Sequence, residues 1–131
     1  MRSHSDEAYV ISLCDRVLKR SARRGHRFSF LVGDTGRRLP VDAFYVELDL
    51  VVEYRERQHS EPVALFDNKP TASGIPRGLQ RARYDQRRRD VLPKHGLRLV
   101  ELDYSQFPHD GRRRLKRTQQ DIAIVRRVLK V

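Results

Sequence analysis

The chain has 131 residues, within the usual size of one domain, so a single core over residues 1–131 is expected. Its one cysteine, Cys14, excludes an internal disulfide framework and a cysteine-based zinc cluster, and no apolar run approaches the roughly 18 residues of a membrane span. A net charge of +11, carried by 23 arginines and 5 lysines, suits a phosphate-bearing partner, although an acidic protein, a lipid surface or arginine-rich codon usage would each account for it too.

Met1 to Glu7 reads as an acidic helix start rather than a signal peptide, so a cytoplasmic protein is expected. From Ser5 to Arg20, Ile11, Cys14 and Leu18 fall at helical spacing, joined by Val10 and Val17, with Arg23-Arg24-Gly25 closing the helix. The period then changes to two. Phe28, Phe30 and Val32 alternate within His26–Gly33, Gly33-Asp34-Thr35-Gly36 signals a turn, and Leu39–Val46 alternates again. A reversal at Glu47-Leu48-Asp49 leads into a third strand, Leu50–Glu56, and Pro62–Phe66 is compatible with a fourth, shorter one. After a loop at Asn68–Pro76, a helix is expected from Pro76 to Leu92, ending near His95-Gly96. Leu97–Tyr104 reads as a strand buried on both faces, and Leu115, Ile122, Val125 and Leu129 as the stripe of a last helix. The order αβββ(β)αβα predicts an α/β fold: a mixed sheet between helices, with the third and the late strand near its centre.

The chemistry gathers around Leu39–Tyr45 and Leu50–Glu56. Asp42 and Glu53 lie eleven residues apart on successive strands joined by a tight reversal. Residues facing each other across such a pair have Cβ atoms about 4.5–5.5 Å apart. Carboxylates that close repel unless a cation lies between them, and oxygen-only ligation points to Mg²⁺ or Mn²⁺. Arg55 leaves the same strand face as Glu53, placed to orient water or steady developing phosphate charge. Glu7 shares the register of Ile11, Cys14 and Leu18 and can reach over the sheet edge. Each acid also has a plainer reading: Asp42 as a strand end or arginine partner, Glu53 in a cross-strand ion pair, Glu7 as a favoured first-turn acid.

At these residues the chain resembles the PD-(D/E)XK nuclease superfamily, and within it a small branch similar to very-short-patch repair endonucleases. The residues that carry the resemblance are Leu39-Pro40-Val41-Asp42-Ala43-Phe44-Tyr45, then Val52-Glu53-Tyr54-Arg55-Glu56-Arg57-Gln58-His59, then Asp85, Arg88, Leu92 and Gly96. It spans roughly residues 28 to 107 and implies a restriction-endonuclease-like fold that hydrolyses DNA phosphodiesters. By that likeness Asp42 and Glu53 would ligate metal with the Tyr54 carbonyl, Gln58 and His59 would sit beside the phosphate, and Glu7 would assist. Arg55 and Glu56 depart from the branch's Asp-Gly and from the superfamily's lysine. Arginine does not readily release a proton, so Arg55 could not serve as a general base, and a domain that binds DNA without cutting it is the alternative. Lys69, in Asp67-Asn68-Lys69, would supply the missing lysine if the sheet sets it beside Asp42; a solvated loop is the plainer reading. DNA contacts are expected from Arg77, Arg81, Arg83, Arg87, Arg88 and Arg89, with Asp85 pairing to some of them. A second basic cluster, Arg112-Arg113-Arg114, Lys116 and Arg117, reads equally as a solvated helix start or a DNA contact. So short a chain offers little surface for reading a long site, so a homodimer or a larger DNA-processing partner is expected.

Overall fold

The structure, a computed structural model, describes residues 5–57 and 74–131. Its elements in chain order are α1 (Asp6–Leu18), β1 (Arg23–Val32), β2 (Arg38–Tyr45), β3 (Leu50–Arg55), α2 (Arg77–Lys94), β4 (Arg98–Asp103) and α3 (Asp121–Leu129). The four strands form one sheet in the order β1-β2-β3-β4. The first three make an antiparallel meander, and β4 lies parallel to β3. A parallel pair needs a crossover, and α2 provides it. The fold is therefore α/β, a mixed sheet flanked by helices. The suggested strand at Pro62–Phe66 falls outside the described residues.

Two cores result. On one face Val10, Ile11 and Cys14 of α1 meet Val125 and Leu129 of α3 over Ala43, Tyr45, Val52 and Leu102. On the other, Leu92 of α2 and the adjoining Leu97 cover Leu31, Leu39, Val41 and Val51. Even-numbered residues of β3 thus face α1 and α3, and Val51 faces α2. That alternation sends Glu53 and Arg55 to the α2 side. Along β2 it breaks: Leu39 and Val41 join the α2-side core, but Ala43 and Tyr45 join the other. The change of face falls at Asp42.

Ser5 caps α1, its Oγ accepting the Ala8 N–H at 3.1 Å, and left-handed Lys19 (φ +55°) ends it. Arg23-Arg24-Gly25 does not close the helix but already belongs to β1. Asp15 causes this early entry: its Oδ1 accepts the Ala22 N–H and the Tyr45 hydroxyl, pinning the turn against the sheet. In the next turn, a Cβ on Gly33 would lie 2.7 Å from the Tyr84 hydroxyl oxygen, so a larger residue here would displace the Tyr84 side chain. Gly96 (φ +75°) follows α2 where the sequence places a terminating glycine.

Two expectations are corrected. Among the described residues β4 pairs only with β3, so it is an edge and not a centre, and β2 and β3 are the inner strands. Its burial alternates accordingly, Val100 and Leu102 inside, Arg98 exposed and Glu101 half-buried. Leu115 is fully buried but precedes the last helix, in a bridge to His109. The helix cannot begin earlier, because Arg113 and Arg117 are left-handed (φ +67° and +59°). It begins where the Asp121 carboxylate accepts the Thr118 N–H and hydroxyl, tying the first helical residue to the chain ahead of it.

Candidate active site

The β2–β3 register pairs Tyr45 with Leu50, Phe44 with Val51 and Ala43 with Val52. One more step sets Asp42 opposite Glu53. There the ladder gives way to side chains: Glu53 Oε2 accepts the Asp42 N–H at 2.5 Å, and Asp42 Oδ2 accepts the Tyr54 N–H at 2.7 Å. Each carboxylate is thereby oriented by the backbone of the neighbouring strand. Both line a cavity of about 540 Å³ between β2, β3 and α2, with Glu7 at its rim. The exposed Glu7 side chain adjoins Asp42 at this cavity, near enough for its charge to act on the Asp42 carboxyl group.

Burial raises the Asp42 pKa to about 6; the Tyr54 N–H opposes this, and the charge of Glu7 adds to it. Glu53, 1% exposed, is also raised, by burial and then by the charge of Asp42. These acids are placed where neither water nor enough positive charge compensates them.

Basic groups line the opposite wall. Arg55 Nη1 donates to Glu53 Oε1 at 2.9 Å, while Nη2 lies 3.1 Å from Asp85 and 3.2 Å from Glu101. Burial works against its charge, but these three acids outweigh it and hold the guanidinium more firmly protonated than usual. Arg55 does share a face with Glu53; its role is to bind this acid cluster together, not to meet solvent. Arg88 Nε is 3.5 Å from Glu53 Oε1, and it donates to Asp85 and, through Nε and Nη2, to the Pro40 carbonyl. Arg89 pairs with Glu101, and Arg87 donates to the Val32 carbonyl and Asp34. Three arginines expected on DNA are therefore engaged within the fold. Arg77 and Arg83 are exposed, and half-buried Arg81 lines the cavity. Gln58, His59 and Lys69, with the Asp67-Asn68-Lys69 triplet, lie outside the described residues.

Asp85, Arg88, Leu92 and Gly96 each have a structural purpose: an acid and a base bridging α2 to β2 and β3, a fully buried apolar anchor and a helix stop. Glu101 was missed by sequence reasoning. Its signal was an acid inside the apolar run Leu97–Tyr104, which a buried strand tolerates only with a cationic partner. In the parallel β3–β4 register it stands beside Glu53. Among the described residues no group of three or more His, Cys, Asp or Glu side chains is disposed as a complete metal-ligand set. The donors that would suit a divalent ion are the oxygens of Asp42 and Glu53, with Glu7 adjoining. Among the same residues, no helix is long and apolar enough to cross a membrane. Comparison with protein-family models, with curated proteins and with solved structures finds no match to this chain.

Proposed function

We propose that this chain is a metal-dependent nuclease of the PD-(D/E)XK type that hydrolyses DNA phosphodiesters in the cytoplasm, alone, as a homodimer or within a larger DNA-processing assembly. The observation that carries the reading is the buried pair Asp42 and Glu53, opposed across β2 and β3 and open to one cavity with Glu7. The α/β element order αβββαβα, with the acids on the meander's second and third strands, is compatible with that reading. A strongly basic protein that holds under-compensated acids in a cleft is suited to a divalent cation and a polyanion together.

Asp42 and Glu53 would hold Mg²⁺ or Mn²⁺; such an ion, when bound, lowers the pKa of water and polarises a phosphoryl oxygen. The protein's own part is orientation and charge. The backbone N–H groups of Asp42 and Tyr54 fix the two carboxylates, and Arg55 and Arg88 offset part of the cost of ionising buried Glu53. Exposed Arg77 and Arg83 would take the phosphate backbone on either side of the cleft, with Arg81 at its wall.

A plasmid incubated with Mg²⁺ or Mn²⁺ is expected to be nicked by the native chain and left intact by Asp42→Ala. Cleavage that persists in Asp42→Ala removes the assignment. One observation favours the alternative of DNA binding without cleavage: Arg55, the residue at the motif's lysine position, is taken up by three acids and cannot accept a proton. Salt-sensitive binding with no turnover in either metal would establish that second reading.

A further inference from the structure

We infer a second phosphate site beside the first cavity, formed by an arginine loop that holds a neighbouring phosphate of the same nucleic-acid strand. The inference rests on the nucleic-acid reading above. The site is a cavity of about 420 Å³ lined by Arg57, Arg112, Arg113, Arg114 and Arg117, with Asp6 and Glu56 on its wall. Glu56 and Arg57 line both cavities, so the two adjoin.

The loop carrying Arg112, Arg113, Arg114 and Arg117 is closed by its own hydrogen bonds. Asp110 Oδ1 accepts the N–H groups of Arg112 and Arg114, and the Asp110 N–H meets the Arg114 carbonyl, closing a tight turn. Leu115 is fully buried in the α1–α3 core, and its N–H donates to Asp6 Oδ2 at 3.0 Å. Arg117 pairs with Asp6 Oδ1 at 3.3 Å and lies over the Tyr9 ring. Asp6 thus serves as an anchor, and its charge is largely spent on the loop itself. Within this frame Arg113 and Arg117 are left-handed, a conformation that a side chain with a Cβ adopts at a cost. Glycine or asparagine would satisfy such turns more cheaply.

Arg57, Arg112, Arg113 and Arg114 around one small cavity, with Arg117 held at its side by Asp6, suit an anion with several acceptor oxygens, and arginine's planar fork fits phosphate in pairs. Phosphates repeat along a nucleic-acid strand, so a strand with one phosphate in the acidic cavity can present another to its basic neighbour. The first cavity would do the chemistry; the second would set the strand's path.

The test is fluorescence anisotropy of a labelled twelve-nucleotide single-stranded DNA with the full chain in EDTA, over a series of salt concentrations. Arg112→Ala/Arg114→Ala is expected to bind about tenfold more weakly and to lower the log–log salt slope by about 0.7, one phosphate's worth for a single strand. Arg126→Ala/Arg127→Ala removes the same charge from the exposed end of α3 and should change affinity less than about twofold. Equal losses in both double variants, wild-type affinity in the loop variant, or no binding by the native chain would overturn the inference. Nuclease failure reads out separately: loop-dependent binding without metal-dependent nicking leaves this site standing and removes the catalytic reading. Nicking with a loop variant that binds normally does the reverse.

Discussion

Asp42 holds its carboxyl group where folding has taken away water and brought a second acid into contact. Its pKa is raised from the usual 3.8 to about 6, chiefly by burial, and that shift makes the residue a liability to the fold at neutral pH. Between pH 4 and 6 the folded state holds a proton here that the unfolded state releases. The stability Asp42 contributes is therefore complete below its unfolded pKa and lost as pH rises through about 6. Asparagine keeps the oxygen that receives the Tyr54 N–H and carries no charge. Asp42→Asn should accordingly be more stable than the native chain at pH 7, by on the order of 2 kcal/mol or about 6–10 °C in Tm. The advantage should fade as pH falls to 4. Thermal unfolding of both proteins from pH 4 to 8 checks this; a less stable variant at pH 7 would show that the acid is satisfied as it stands. A fold that keeps such a residue gives up stability for an ionisable group in that cleft.

At the scale of elements, α2 shows how charge was misread as surface. The run Arg87-Arg88-Arg89 looks like a solvated or DNA-facing stripe, yet its members reach the β1–β2 turn, the Pro40 carbonyl and Glu101 respectively. Only Gly78 and Leu92 of this 18-residue helix are buried, so the ion pairs hold much of it in place. Arg88→Ala would leave Glu53 and Asp85 to Arg55 alone and take two bonds from the half-buried Pro40 carbonyl, and should cost about 2–4 kcal/mol in chemical denaturation. Exposed Arg83→Ala, on the same helix, should stay within about 0.5 kcal/mol of the native chain. Similar costs at both positions would mean that the arginine network does not anchor the helix. The meander, the crossover helix, the last strand and the opposition of Asp42 to Glu53 were legible, because periodicity and the short reversal at Glu47-Leu48-Asp49 encode them. The partners of the arginines were not. Glu101 reaches Arg55 and Arg89 only once β4 lies parallel to β3, a long-range pairing that local pattern does not carry. The late start of α3 was hidden for another reason: a helical spacing that included Leu115 masked the two left-handed arginines ahead of Asp121.

Over the whole molecule the two faces of the sheet are unequal. Among the described residues, fifteen buried side chains join α1 and α3 to the sheet, against six on the α2 side. Apolar burial is the main source of cooperative stability, and an arginine–carboxylate network supplies less of it because desolvation offsets the attraction. The α1–α3 layer with β3 should therefore open only on global unfolding, and α2 should open alone at a lower free energy. Native-state hydrogen exchange at increasing denaturant checks this: α2 amides should form a separate isotherm about 2 kcal/mol or more below those of α1 and β3. Coincident isotherms would show a single cooperative unit. The inequality bears on function because α2 walls the cavity that holds Asp42 and Glu53. A wall held by ion pairs can shift as a polyanion enters and competes for its arginines, while the better-packed layer keeps the two acids in register.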